Sequence, residues 1–286
     1  MAKSKIFKYV PGQPRPKQTQ LNEFVSANGL KLKAQAKQLA DHQRAMQAEG
    51  KQALLVIFQA LDAAGKDSTI RNVFKYCDPA GLDVAAFKAP SKLEAAHDFM
   101  WRCYQKFPAK GQLQVFNRSY YEETLVVKVH PEFLKSQGFT KPPTQTFWQQ
   151  RYNYINQTEA HLVASGTQVL KFFLDVSQPT QHQRFIDRYA TPEKQWKFNV
   201  GDLKESMLWE QYQAAFDTLL EKTSTKAAPW YVIPADDKPI MRTAVAQIIK
   251  QKLKSMKPQY PGMQPFNQDD LALIDQLVKA TPKVSS

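Results

Sequence analysis

The residues best suited to chemistry lie in two short segments, 59–70 and 115–131. The first, QALDAAGKDSTI, joins a short apolar run to a helical pattern, so its small residues and the Gly65–Lys66 pair come where a helix begins. Helix N-terminal amides attract anions, small residues let the backbone approach a phosphate, and a lysine at this place reaches the outer phosphates. The segment therefore indicates a phosphate-binding turn.

This turn departs from the strict G-x-x-x-x-G-K-[ST] pattern, because Ala60 replaces the first glycine and Asp67 the final hydroxyl residue. Taken alone, the segment also fits a simple strand–helix turn. Asp62 is its unusual member, since a carboxylate beside phosphate is repulsive unless a cation or a proton lies between them. Asp62 therefore predicts a Mg²⁺ ligand or a general base towards an incoming phosphate oxygen, whereas Asp67 fits a helix cap.

The second segment, VFNRSYYEETLVVKVHP, starts within a predicted strand. Asn117, Arg118 and Glu122 follow the end of that strand, where open α/β sheets hold their ligands. The guanidinium of Arg118 can hold phosphate oxygens in bidentate fashion. Tyr120 and Tyr121 fit core packing and base stacking equally well.

Strand and helix patterns alternate around both segments. Short apolar runs predict strands at 53–59, 83–87, 113–117, 168–176 and 230–234. Helical patterns lie at 28–49, 67–76, 92–107, 121–134, 146–165, 204–224 and 237–256. Such alternation is typical of the α/β class, in which a parallel sheet is sandwiched by helices.

Residues 178–203 lack a strand pattern and fit either a lid over the sheet edge or an ordinary crossover helix. We expect a basic N-terminal extension at 1–50, in which an extended Pro-rich stretch at 10–18 precedes a helix. A core at 51–256 follows, with the lid at about 178–206. Residues 257–286 form a C-terminal extension.

The whole chain is basic. It has 39 Lys and Arg against 26 Asp and Glu, a net charge of +13, and residues 1–51 alone hold ten basic and three acidic side chains. Such an excess predicts an anionic partner. Apolar residues make up 43% of the chain, which excludes a disordered protein. The two cysteines are too few for a disulfide scaffold, so we expect reduced thiols. The start of the sequence shows no apolar leader, and no apolar run approaches the ~20 residues of a membrane span. We therefore expect a cytoplasmic protein with no membrane partner.

Other chemistries find little support in the sequence. The five histidines lack metal-ligand spacing and the cysteines form no C-x-x-C pair, so we expect His97, Cys77 and Cys103 in the core. No aromatic-interleaved basic strand or nucleic-acid motif is present, which argues against a nucleic-acid partner.

From about residue 50 to residue 255 the chain resembles the polyphosphate kinase 2 family, P-loop kinases that move phosphate between inorganic polyphosphate and nucleotides. The resemblance is carried by DAAGKDSTI (62–70), FKAP (87–90), HDFMWR (97–102), FNRSYYEE (116–123), LKFFLDVS (170–177), EKQWKFNVGDL (193–203) and TSTKAAPWYVIPADDK (223–238). It implies a P-loop kinase-like fold with a helical lid, and reversible, Mg²⁺-dependent in-line transfer without a covalent enzyme intermediate. The implied partners are polyphosphate, adenine or guanine nucleotides and further copies of the chain.

The resemblance also implies residue roles. Asp62 would bind Mg²⁺ and orient the accepting phosphate, and Arg118 would contact the transferring phosphates. With Glu122 in NRSYYE, the chain resembles the class III subgroup, which phosphorylates nucleoside mono- and diphosphates. The resemblance implies that Glu122 would set acceptor choice. The implied catalytic residues are Asp62, Lys66, Arg118 and Glu122, and the phosphate- or nucleotide-binding residues are Ala63, Ala64, Gly65, Asp67, Ser68, Lys88, Asn117, Arg184 and Arg188. Lys88 and Lys238 fit structural roles equally well, and Arg184 and Arg188 match lid arginines. An ATP-dependent P-loop kinase of a small molecule or nucleic-acid end is the alternative.

Overall fold

The computed structural model describes residues 4–263 and 267–280. In this part of the chain, five parallel strands form one sheet in the order β2-β3-β1-β4-β5. The strands are β1 (Ala53–Gln59), β2 (Leu82–Ala86), β3 (Leu113–Asn117), β4 (Thr167–Asp175) and β5 (Trp230–Pro234). Three match the predicted bounds, and the other two are shifted by one residue.

Helices connect and flank the strands. They are α1 (Gln18–Ala27), α2 (Leu32–Glu49), α3 (Lys66–Val73), α4 (Lys92–Ala95), α5 (Trp101–Tyr104), α6 (Val126–Val129), α7 (Gln145–Ala164), α8 (Gln178–Ala190), α9 (Pro192–Gln195), α10 (Val200–Ser206), α11 (Trp209–Thr223), α12 (Lys238–Met256) and α13 (Gln268–Ala280). Short 3₁₀ helices occur at Ser4–Phe7, Pro79–Gly81, Tyr120–Thr124 and Pro131–Gln137.

The central strand β1 faces two separate cores. Its side chains alternate between the sheet faces, so Leu54 and Phe58 join the core under α1, α2, α3 and α12. Leu55 and Ile57 join the core that includes α7 and α11 on the other face. Every residue of β1 is buried, as expected for a central parallel strand. The predicted α/β sandwich is confirmed.

Two predicted helices are wrong in extent. Residues 92–107 hold only the short helices α4 and α5, and the Asp98 side chain between them accepts the backbone N–H of Met100, which competes with a continuous helix. Residues 121–134 break into 3₁₀ and α turns, and α6 ends at Val129 because Pro131 lacks the N–H that a continuing helix requires. Both interruptions lie near the carboxyl ends of strands and shape the walls of the site.

The N-terminal residues join the fold more closely than the sequence indicates. The α1 helix was not predicted, and it packs against α12. Phe7 is fully buried, and Lys8 forms an antiparallel bridge to Tyr231 at the edge strand β5. The predicted helix within 28–49 begins at Leu32. The predicted boundaries near residues 50 and 257 stay predictions.

Several predictions about single side chains can be compared with burial. Tyr120 and Tyr121 are fully buried, so they are core residues. His97 is exposed and stacks on Trp101, so its predicted core position is wrong. Cys103 is buried and Cys77 half-buried, and both are free thiols. Of the ten basic residues counted in 1–51, Lys3 lies outside the described residues.

No helix in the described ranges is both long and apolar enough to cross a membrane.

Candidate active site

The predicted phosphate-binding turn connects β1 to α3. Gly65 caps α3 with φ +107°, a conformation that side-chain-bearing residues rarely adopt. A Cβ there would also lie 3.4 Å from Cε of Lys238. Ala63 has φ +64°, so the turn holds a second strained residue, as is common at functional sites. Ala60 has no positive φ, so its methyl group fits the turn without backbone strain.

Lys66 is the first residue of α3 and is almost completely buried. Its Nζ donates to the carbonyls of Ala60 at 2.8 Å and Leu61 at 3.4 Å, so the side chain curls back over the turn. Burial lowers the pKa of Lys66 to about 8, and the nearby Arg118 guanidinium adds to that effect. The charged form of a buried lysine beside a guanidinium is stabilised by an anion that enters.

Arg118 links two carboxylates at the end of β3. Its Nη2 donates to Oδ1 of Asp62 at 2.5 Å, and its Nη1 donates to Oε2 of Glu122 at 2.9 Å. Arg118 has φ +64°, the second side-chain-bearing residue of the site in the left-handed region. The carboxylates of Glu122 and Asp62 raise the pKa of the guanidinium and outweigh burial, which lowers it, so Arg118 remains charged. The predicted catalytic residues are thus assembled by the ends of two adjacent strands.

Asp62 is held in its ionised form. Burial alone would raise the pKa of its carboxyl, but Lys66, Arg118 and Arg188 outweigh burial and leave the pKa below its ordinary value. The side chain is still 28% exposed, so a ligand in the cleft can reach it. Asp62 can therefore offer a permanent negative charge to a cation or a proton donor.

Helix α8 supports the turn from the other side. Gln181 donates to the carbonyl of Asp62 at 3.0 Å. Arg184 donates to four backbone carbonyls, those of Ala63 at 3.0 Å, Ala64 at 3.1 Å, Ala235 at 2.8 Å and Asp236 at 2.8 Å. A planar guanidinium is suited to such multiple contacts. Arg184 therefore ties the turn to the loop that follows β5.

Three residues around the phosphate-binding turn were not predicted from the sequence: Gln181, Asp202 and Arg242. Asp202 of α10 accepts Nη1 of Arg188 at 3.4 Å, and burial and the nearby Asp62 raise the pKa of its carboxyl. Arg242 of α12 donates to the Ser68 hydroxyl at 2.9 Å. Gln181 lies three residues before Arg184, so the helical spacing of the predicted lid segment could have indicated it. Nothing in the local sequence marks Arg242.

A cleft of about 610 Å³ opens at the turn. Its charged lining is dominated by cations: Lys66, Arg71, Lys88, Arg118, Arg184, Arg188, Lys194, Lys197 and Lys238, against Asp62, Asp67, Asp187 and Glu193. Burial and then Arg184, Arg242 and Arg188 lower the pKa of Lys238 to about 8. Mutual repulsion of this kind is relieved by a polyanion.

Most predicted phosphate-binding residues meet at this cleft. Those that line it are Asp62, Ala63, Gly65, Lys66, Asp67, Ser68, Lys88, Asn117, Arg118, Arg184 and Arg188. Ala64 is fully buried beneath the turn, so only its backbone can take part. Asp67 accepts the Asn117 amide at 2.7 Å, which ties the first turn of α3 to the end of β3.

A second cavity, of about 520 Å³, lies on the other side of Arg118. Apolar groups, including Phe87, Pro90, Val126 and Phe133, provide most of its surface. Phe87, Lys88 and Arg118 line both this cavity and the basic cleft. Glu122 faces this second cavity rather than the basic cleft. The site therefore joins a compartment suited to an anion with one suited to an apolar group, and Arg118 lines both.

The fit of Mg²⁺ rests on Asp62. Among the described residues, no group of three or more His, Cys, Asp or Glu side chains is arranged to hold a metal ion. Mg²⁺ in kinase sites is commonly bound through one or two carboxylates plus phosphate oxygens and water. One ionised, partly exposed carboxylate facing a phosphate-sized cleft meets that requirement, so the residues fit a metal that arrives with the phosphates.

The comparisons with known proteins agree with this geometry. The family model described as polyphosphate kinase 2 matches residues 26–261. The chain is 43% identical to an ADP-polyphosphate phosphotransferase of Rhodopseudomonas palustris over 86% of each chain. It is also 43% identical to an AMP/ADP-polyphosphate phosphotransferase of Meiothermus ruber, over 77% of this chain and 78% of the relative. The crystal structure of Polyphosphate Kinase 2 from Arthrobacter aurescens TC1 aligns with a TM-score of 0.84 at 32% identity, covering 96% of this chain and 97% of that one.

The family match covers most of the chain and agrees with the phosphate-binding turn and the cationic cleft. This chain belongs to the polyphosphate kinase 2 family.

Proposed function

We propose that this protein transfers phosphate from inorganic polyphosphate to nucleoside mono- and diphosphates, forming ATP from AMP and ADP. The observation that carries the proposal is the junction of two cavities at Arg118. The cationic cleft suits a long polyanion, and the apolar cavity suits a nucleoside. The names of the two relatives, which act on ADP and on AMP and ADP, support the same substrates.

Each charged group has a distinct task in this reaction. Lys66 and Arg118 neutralise oxygens of the phosphate that moves, since positioning and charge neutralisation supply nearly all of the acceleration in phosphoryl transfer. Asp62, which accepts Nη2 of Arg118, orients the accepting phosphate. When bound, Mg²⁺ supplies further neutralisation of the phosphate oxygens. Transfer is in-line, reversible and without a covalent enzyme intermediate.

Glu122 is the proposed determinant of acceptor choice, as in the class III subgroup. Arg118 holds its Oε2 at 2.9 Å, and the carboxylate faces the apolar cavity assigned to the nucleoside. It therefore lies on the acceptor side of the junction, where the presence or absence of one phosphate on the acceptor changes the local charge. The proposed acceptors are adenine or guanine nucleotides.

The test is ATP formation from polyphosphate and Mg²⁺, with AMP or ADP as the sole acceptor in parallel reactions. Product from both acceptors is expected. Product from ADP alone would support polyphosphate as the donor and contradict the proposed likeness to the class III subgroup. No product from either acceptor, together with turnover when ATP is the donor to another acceptor, would instead select an ATP-dependent kinase.

The proposal extends to assembly and location. We expect a cytoplasmic homo-oligomer. Light scattering of the purified protein tests the oligomeric state directly. The apolar residues of α11 do not supply the interface, since Tyr212, Phe216 and Leu219 are buried in the core of one chain.

A further inference from the structure

Gln59 is a buried polar residue beside the acceptor-side carboxylate. It is the last residue of β1 and has no exposed surface. Its Nε2 donates to Oε1 of Glu122 at 2.9 Å, while Arg118 donates to Oε2 of the same carboxylate at 2.9 Å. Glu122 therefore has each of its two oxygens held by a different partner, and its carboxylate has a fixed orientation.

The support behind Gln59 is rigid. It is paired with Phe173 across the sheet and follows Phe58, whose carbonyl accepts the backbone N–H of Arg118 at 3.0 Å. One end of the central strand thus positions both groups that hold Glu122. Sites built on strands hold their side chains more accurately than sites built on loops.

The amide of Gln59 is not explained by folding alone. Its Oε1 is buried and has no hydrogen-bond partner in the described part of the chain. A buried polar atom left without a partner is destabilising, and the six preceding residues of β1 are all apolar. An apolar side chain would satisfy the core better. The amide is therefore explained by what it does for Glu122, since only its N–H₂ group can donate to a carboxylate.

We propose that Gln59 is a positioning residue for acceptor choice: its Nε2 fixes Oε1 of Glu122 so that the carboxylate is presented to the nucleoside monophosphate. The inference rests on the proposed role of Glu122. Without the amide, Glu122 is held by Arg118 alone and turns away from its position, whereas Asp62, Lys66 and Arg118 keep theirs. Use of AMP therefore depends on Gln59 more than use of ADP does.

The test is the substitution Gln59→Met, which keeps the size of the side chain and removes the donor. With polyphosphate as donor, we expect kcat/KM for AMP to fall about tenfold and kcat/KM for ADP to change less than about threefold, since hydrogen bonds to charged groups are worth this much. The matched control is Gln114→Met. Gln114 is also a buried glutamine of the same sheet, and it donates to Asp83 at 2.9 Å. Gln114→Met should leave the AMP/ADP ratio, meaning kcat/KM for AMP divided by kcat/KM for ADP, unchanged.

A double-mutant cycle separates positioning from a general loss of stability. In a Glu122→Asn background the carboxylate that accepts from Gln59 is absent, so Gln59→Met should not change the ratio of kcat/KM for AMP to that for ADP any further. An equal loss on both acceptors, or the full Gln59→Met effect in that background, overturns the inference. If Glu122→Asn alters the ratio and Gln59→Met does not, the inference fails and the role of Glu122 stands. If Glu122→Asn leaves the ratio unchanged, both fail.

A second variant guards against misfolding. Gln59→Leu is close to glutamine in size and apolar like the six residues before it, so it removes the donor and places no titratable group beside Glu122. Among samples whose thermal unfolding shows a folded protein, Gln59→Leu should lower kcat/KM for AMP about as much as Gln59→Met. Undiminished use of AMP by folded Gln59→Leu would overturn the inference.

Discussion

At the scale of single residues, Asp62 is the most important group for the proposed transfer. Its carboxylate is kept ionised by Lys66, Arg118 and Arg188, and it faces the cationic cleft. Asp62→Asn preserves shape and removes the charge, so we expect kcat to fall about a hundredfold or more while thermal unfolding changes little. Steady-state kinetics at several Mg²⁺ concentrations check this, and the residual activity should need more Mg²⁺. Near-normal turnover by a folded variant would remove Asp62 from its assigned role.

A second residue-scale prediction concerns Glu122. Because the carboxylate faces the apolar cavity and not the cationic cleft, Glu122→Asn should act on the acceptor and leave the KM for polyphosphate within about twofold. We expect AMP use to fall far more than ADP use. Rates measured with each acceptor in turn check this, and equal losses on both would contradict it.

At the scale of elements, α8 acts as a brace for the phosphate-binding turn. Arg184 holds four carbonyls from two loops, a task that one lysine ammonium cannot reproduce. Arg184→Lys should therefore raise the KM for polyphosphate about tenfold or more, with a smaller effect on unfolding temperature. Arg44→Lys, on the exposed side of α2, is the control and should behave as wild type. A KM unchanged by Arg184→Lys would show that the turn keeps its shape without this brace.

The start of α12 carries a prediction about pH. The pKa of Lys238 is lowered to about 8, so the free protein loses this charge as the pH rises past that value. The KM for polyphosphate should therefore rise between about pH 7 and pH 9. Lys238→Arg, which stays charged, should reduce this rise without removing it, since Lys66 in the same cleft also has a pKa of about 8, and Lys135→Arg on an exposed 3₁₀ helix should leave the rise unchanged. A profile identical in all three proteins would exclude Lys238 from polyphosphate binding.

The same shift has a consequence for stability. Between the lowered pKa of about 8 and the ordinary value of 10.5, the folded state binds fewer protons at Lys238 than the unfolded state does. Its contribution makes the ligand-free protein more stable as the pH rises through this window. Below about pH 8 that contribution is constant, and the lysine is charged in both states.

Sequence patterns predicted elements well where local chemistry decides them. The continuous apolar runs located all five strands, and Gly65–Lys66 located the start of α3. They failed at 92–107, where a single Asp side chain competes with the helix. They also could not reveal Gln59 as a partner of Glu122, because that contact joins residues 63 positions apart.

At the scale of the whole molecule, charge and shape act together. The chain has a net charge of +13, and nine of its basic side chains line the cationic cleft. Added salt screens such attraction, so we expect the KM for polyphosphate to rise with ionic strength while the KM for AMP or ADP changes less. Initial rates at several salt concentrations check this. A larger effect on the nucleotide than on polyphosphate would contradict the assignment of the two cavities.

The most direct test of the central proposal follows the phosphate itself. Polyphosphate labelled with ³²P is supplied with Mg²⁺ and unlabelled ADP, and label is measured in ATP for the wild type and for Lys66→Met. The account predicts labelled ATP from the wild type and almost none from folded Lys66→Met. Unlabelled ATP, or no ATP from a folded wild-type protein that does transfer phosphate from ATP to another acceptor, would contradict it.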